Sequence, residues 1–168
     1  MATTYTLISS VTVGSGGSAT IDFTSIPQTY TDLLVKISGR SALAAVGDNA
    51  TTSFNNNTSN RTQRSLYTGD GSTVQSFTYT SFFIWLPGSN ATASTFGNTE
   101  LYIPNYTSAN YKSFSNDVTT ENNATAAELA LSASLWSDTA AITSVKVTCN
   151  GGNFVEHSTA YLYGISNA

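Results

Sequence analysis

The chain is written in short runs of alternating apolar and polar residues, each closed by a turn signal. In Asp32-Leu-Leu-Val-Lys-Ile-Ser-Gly-Arg40, Leu33, Val35 and Ile37 fall on one side, and Leu34, Lys36 and Ser38 on the other. A period of two belongs to the β-strand, whose successive side chains point to opposite faces. Similar runs occupy Tyr5 to Val13, Ala19 to Phe23, Thr51 to Phe54, Ser65 to Thr68, Phe77 to Trp85 and Phe96 to Ile103. Tyr111 to Val118, Glu128 to Trp136, Ile142 to Cys149 and Ser158 to Ile165 complete the series. In the Glu128 run, Leu129, Leu131, Ala133 and Leu135 alternate with polar or small neighbours.

About ten short strands spaced in this way predict an all-β chain. The expected architecture is one antiparallel β-sandwich domain over residues 1–168, jelly-roll-like. Gly14-Ser-Gly-Gly-Ser18 between the first two runs predicts a hairpin. Asn55 to Asn60 predicts an exposed loop, because asparagine favours turns. Ala42 to Val46 could form one helical turn. Ala124 to Leu131 has the residues of a helix, but the alternation that follows it favours a strand. No segment repeats at a spacing of 20 to 50 residues, so propellers and solenoids are not expected.

Composition narrows the function. Only 10% of the residues are charged, against about 25% in an ordinary domain, while 40% are hydrophobic. Serine, threonine, asparagine and glycine fill the difference. The net charge is -4, and the ten acids form no run. Of the six cations only Arg61 and Arg64 stand close together, so the clustered positive charge that nucleic acid requires is missing. The longest apolar run, Phe82 to Pro87, falls far short of the ~20 residues of a membrane helix. Met1-Ala-Thr-Thr-Tyr-Thr-Leu-Ile carries neither a basic region nor a long apolar stretch, so a secretory leader is not expected.

Reaction chemistry finds little to use. His157 is the one histidine, and no Gly-x-Ser-x-Gly elbow accompanies it. Cys149 is the one cysteine and ends a strand-like run, which suits a buried structural thiol. One cysteine and one histidine cannot make a zinc site. Asp48 and Asp70 sit in loops that could offer oxygens to calcium, without the spacing of an EF-hand. The Gly14 cluster lacks the lysine and helix of a phosphate loop. No cofactor is therefore expected. Aromatic residues could instead build a contact surface or a sugar platform, and Trp85, Tyr106, Tyr111 and Trp136 are the candidates. The competing reading puts such residues in the core or at a subunit contact.

Four blocks carry a resemblance. They are Tyr5-Thr-Leu-Ile-Ser-Ser-Val-Thr-Val-Gly14, Phe23-Thr-Ser-Ile-Pro-Gln-Thr-Tyr-Thr-Asp-Leu-Leu-Val-Lys-Ile-Ser-Gly-Arg40, Phe96-Gly-Asn-Thr-Glu-Leu-Tyr-Ile-Pro-Asn-Tyr106 and Ala160-Tyr-Leu-Tyr-Gly-Ile165. In this order they resemble virion structural proteins of tailed bacteriophages, especially aquatic ones. The resemblance implies a capsid decoration or cement protein, made in the host cytoplasm and displayed on the outer virion surface. Its implied partners are copies of itself, as a homotrimer, and the major capsid protein. The alternative is a tail- or head-fibre module that recognises host-surface glycans. The family offers no catalytic motif to transfer.

Overall fold

A computed structural model describes residues 4–121, 123 and 127–166. Twelve strands account for its regular structure: β1 (Tyr5–Thr12), β2 (Thr20–Phe23), β3 (Asp32–Gly39), β4 (Gly47–Phe54), β5 (Arg61–Thr68) and β6 (Gln75–Tyr79), then β7 (Phe82–Pro87), β8 (Gly97–Ile103), β9 (Lys112–Thr120), β10 (Glu128–Trp136), β11 (Val145–Cys149) and β12 (Thr159–Ile165). They form two antiparallel layers of unequal width. One sheet has eight strands in the order β1-β12-β3-β8-β9-β10-β5-β6, and the other has four in the order β2-β11-β4-β7. The expected β-sandwich is present, with twelve strands rather than about ten.

The alternating runs become strands because each has a buried side. Leu33, Val35 and Ile37 of β3 are at most 1% exposed, whereas Lys36 and Ser38 face solvent. Ile21 and Phe23 of β2, and Val145 and Val147 of β11, close the core from the opposite layer. Phe54, Phe82, Phe114 and Trp136 pack edge-on or tilted at its centre, with centroids 4.8 to 5.6 Å apart. Aromatic pairs at such angles add about 0.5–1.5 kcal/mol each beyond their buried area.

Three sequence expectations change. β1 and β2 are not a hairpin: β1 pairs with β12, and β2 with β11. Gly16 and Gly17 adopt positive φ, and the segment carries the chain from one layer to the other. There Ser18 and Phe154 exchange backbone hydrogen bonds of 3.0 and 2.8 Å. A side chain at Gly17 would strike the Phe154 carbonyl. The Phe77 to Trp85 run divides between β6 in the large sheet and β7 in the small one. Residues 42–46 form bends and no helical turn. Residues 124–126 of the other candidate helix lie outside the described residues, and its end belongs to β10. Asn55 to Asn60 is a turn, as expected, with Asn55, Asn56 and Asn60 in the left-handed region.

Buried cations organise the loops. Arg40 follows β3 and is 8% exposed. Its guanidinium donates to Ser89 O, Ala91 O, Thr92 O, Thr95 O and Thr95 Oγ1 at 2.8 to 3.2 Å, so one side chain fixes the β7–β8 connection. Lys112 is 1% exposed, and burial lowers its pKa. It donates to the carbonyls of Ser108 (2.7 Å), Ala140 (2.6 Å) and Asp138 (3.4 Å), and lies over the Trp136 ring.

Candidate functional face

The strands at one end of the large sheet are inverted. In β10 the buried side is Ala130, Ser132, Ser134 and Trp136, while Leu129 and Leu131 are 55% and 58% exposed. In β5 Gln63 and Ser65 are buried, and Leu66 is 54% exposed. Alternation alone would send the leucines inward.

The cause lies in the other layer. β7 is an edge strand of the small sheet and rests on β5, β9 and β10. Its free edge needs partners, because a buried backbone group left unpaired costs about 1–3 kcal/mol. Gln63 supplies them: its Oε1 accepts from Phe83 N–H at 2.9 Å, and its Nε2 reaches Phe83 O at 3.2 Å. Asn116 Nδ2 donates to the same carbonyl at 2.8 Å. Ser65 and Ser132 complete the network at 2.8 Å from each other. The inner side of these strands is polar because it services a backbone edge, so the leucines turn outward.

Registers place the outward side chains in rows. One row runs Leu7, Tyr163, Leu34, Tyr102, Ser115, Ala133, Arg64, Thr78 across all eight strands. The next runs Ser10, Tyr161, Lys36, Glu100, Asp117, Leu131, Leu66, Ser76. The face therefore has two apolar ends and a charged middle. At the β1–β12 end, Tyr5, Leu7, Tyr161 and Tyr102 are 38% to 54% exposed. Here the Tyr161 and Tyr163 rings are near-parallel at 28°, with centroids 6.5 Å apart. A depression of about 430 Å³ is lined by Tyr5, Leu34, Lys36, Glu100 and Tyr163. Lys36 and Glu100 pair in it at 2.8 Å, and the Glu100 hydrogen bond raises the lysine pKa. At the β5–β10 end, a second depression of about 350 Å³ lies among Arg64, Leu66, Ser76, Thr78, Leu131 and Ala133.

The four aromatics singled out from sequence are elsewhere. Trp136 is 1% exposed and Tyr106 is fully buried, with its hydroxyl donating to Pro27 O. Trp85 is 9% exposed between Tyr67 and Tyr79. Only Tyr111, 60% exposed before β9, reaches the surface. As a joint contact surface the set is corrected: large flat rings fill the space between the layers, and Trp85, Tyr106 and Trp136 are interior. The tyrosines and leucines of the outer face were missed, and the strand alternation that places them was visible in sequence.

The residues considered for chemistry have structural partners or none. His157 is exposed in a positive-φ turn. Cys149 is buried, its pKa is raised by burial, and its thiol donates to Asp48 at 3.5 Å. Asp48 also accepts from Ser41 Oγ at 2.6 Å and Asn49 N–H at 2.7 Å. Asp70 caps its own loop, accepting from Ser72 and Thr73 N–H at 2.9 Å each, and these bonds lower its pKa. Glu128 is shifted the opposite way. Burial pushes it up to about 7, and nearby Asp48 adds to the rise, against the Tyr67 hydroxyl 3.5 Å away. Among the described residues no three His, Cys, Asp or Glu side chains group as metal ligands.

No family model matches the chain, and no curated protein or solved structure shows a significant match to it.

Proposed function

We propose that this protein is a structural docking module, and specifically a decoration protein of a tailed-phage capsid. The observation that carries the docking role is the apolar outer face of the eight-stranded sheet. In β5 and β10, Leu66, Leu129 and Leu131 stand more than half exposed there while serines fill the interior of the same strands. A chain keeps leucines outward at that density when another surface covers them. The four resembling sequence blocks supply the setting. On this reading the Tyr5–Leu7–Tyr163 end meets the major capsid protein on the outer shell, because tyrosine offers apolar area together with a hydroxyl for a polar rim.

Electron microscopy of the particle whose genome encodes this chain tests the reading, with the protein labelled by antibody. Label over the head surface supports it. Label restricted to the tail, or absent from purified particles, overturns it.

A second reading rests on the near-parallel Tyr161 and Tyr163 rings beside the Lys36–Glu100 pair. Rings next to paired charged groups suit a sugar, which stacks its apolar face and hydrogen-bonds its hydroxyls. Under this reading the protein is a fibre module that binds host-surface glycans. Binding on a glycan array that is lost in Tyr163→Ala supports it, and an array without hits removes it.

A further inference from the structure

The basic side chains are engaged by carboxylates or backbone carbonyls except at one place. Lys36 pairs with Glu100, and Lys146 with Asp22 at 3.5 Å. Arg40 and Lys112 are spent on loop carbonyls. Arg61 donates to Thr58 O and Thr52 O at 2.9 and 3.0 Å. Arg64 alone contacts neither a carboxylate nor a carbonyl, and its one hydrogen bond goes to the Thr78 hydroxyl. Of the ten acids, Asp117 and Glu156 have no side-chain hydrogen bond or ion pair among the described residues, although the backbone of Asp117 is in the β9 ladders. Arg64 and Asp117 are both exposed, and both point from the outer face.

Their placement is informative. β10 lies between β9, which carries Asp117, and β5, which carries Arg64. Leu131 sits directly between Asp117 and Leu66 in its row, and Arg64 is one pleat along. The unspent acid and the unspent base thus flank a leucine ridge on opposite sides, and the patch has no net charge. A two-fold axis parallel to β10, above the sheet, exchanges β9 and β5 between two facing copies. It lays Leu131 on Leu131, and brings Asp117 of each copy over Leu66 of the other, one pleat from its Arg64. Sheets that pack face to face lie about 10 Å apart and nearly aligned, a gap that leucines from both sides fill and an arginine spans.

We propose that the leucine end of this face is the interface with a second copy of the chain, joined about that two-fold axis. The charge pattern selects this occupant: a copy brings the opposite charge to both unspent groups at once. The pairing is a two-fold dimer in place of the trimer implied by the resemblance, and it leaves the tyrosine end free. It does not depend on the protein's belonging to a virion.

Light scattering on the full chain, eluting from a sizing column across micromolar to near-millimolar concentrations, tests it. The expected mass is that of two chains of 17.7 kDa. Leu131→Asp is expected to elute as a monomer. Arg64→Glu and Asp117→Arg, each at an exposed site, should each weaken the dimer at least tenfold, and the double charge swap should restore it. A wild-type monomer, a trimer, or a charge swap that fails to restore pairing overturns the proposal. Circular dichroism separates loss of pairing from loss of fold.

Discussion

Ser65 and Ser132 share a hydrogen bond of 2.8 Å between the layers, while the adjoining Leu66 and Leu131 face each other outside. The two pairs lie on the same two strands, one residue apart. A one-residue slip in register would exchange them, burying the leucines. It would also remove Gln63 from Phe83 and leave the edge of β7 unpaired. The polar pair holds the register that the leucines alone would not select.

Ser132→Leu is therefore expected to destabilise the fold by about 2–4 kcal/mol, through overpacking and lost hydrogen bonds. Leu131→Ser should change the stability of the monomer by no more than about 0.5 kcal/mol. Urea unfolding of both variants, at concentrations where sizing shows only monomer, checks the contrast. A larger loss from the leucine change would show the strand facing the other way.

Arg40 supports a whole connection through five acceptor oxygens. Arg40→Met should cost about 3 kcal/mol or more, because the loop carbonyls lose their donor. Arg40→Lys should recover only part of this, since an ammonium cannot copy a planar fork of donors. Thermal unfolding gives the order wild type, Lys, Met.

Glu128 gives the fold a pH dependence of definite sign. Its folded pKa, about 7, lies above the ordinary carboxyl value, so the folded state holds the proton more tightly than the unfolded one. Stability from this group is full below pH about 4.5 and declines as pH rises to about 7, by up to roughly 3 kcal/mol. Glu128→Gln should flatten that decline, and denaturant midpoints measured from pH 4 to 8 will show whether it does.

Gly164 lies under the Tyr30 ring, where any added side chain would strike the ring carbons. Gly164→Ala is expected to lower stability by about 1–3 kcal/mol, as overpacked substitutions do. Combining it with Tyr30→Ala should cost less than the sum of the two single changes. Additive losses would mean that the ring is not what limits the site.

How far the sequence could be read follows from what alternation encodes. It tells which residues share a face, and for β3 the larger apolar set was also the buried one. In β10 the grouping was legible and the direction was not. Direction there depends on the free edge of β7, which is met by side chains 20 and 33 residues away in sequence. The β1–β2 turn failed for a similar reason: Gly16 and Gly17 allow a reversal, but the partners of both strands lie near the chain's C-terminal end. Trp85, Tyr106 and Trp136 attracted notice as aromatic residues, yet ring size made them core material. The outer tyrosines were present as Tyr161 and Tyr163 in a recognised strand, and only the pairing of β12 with β1 and β3 gathers them with Tyr5 and Leu7.

The way Arg40, Arg61 and Lys112 are used has a consequence for ionic strength. Each donates to backbone carbonyls at contact distance, and Arg40 and Lys112 do so from buried positions. Dissolved ions screen exposed charges over a length that shrinks from about 30 Å in dilute solution to about 3 Å near molar salt, and they screen buried contacts much less. The loops held by Arg40 and Lys112 are fastened in a form that dilute fresh water and concentrated brine treat nearly alike.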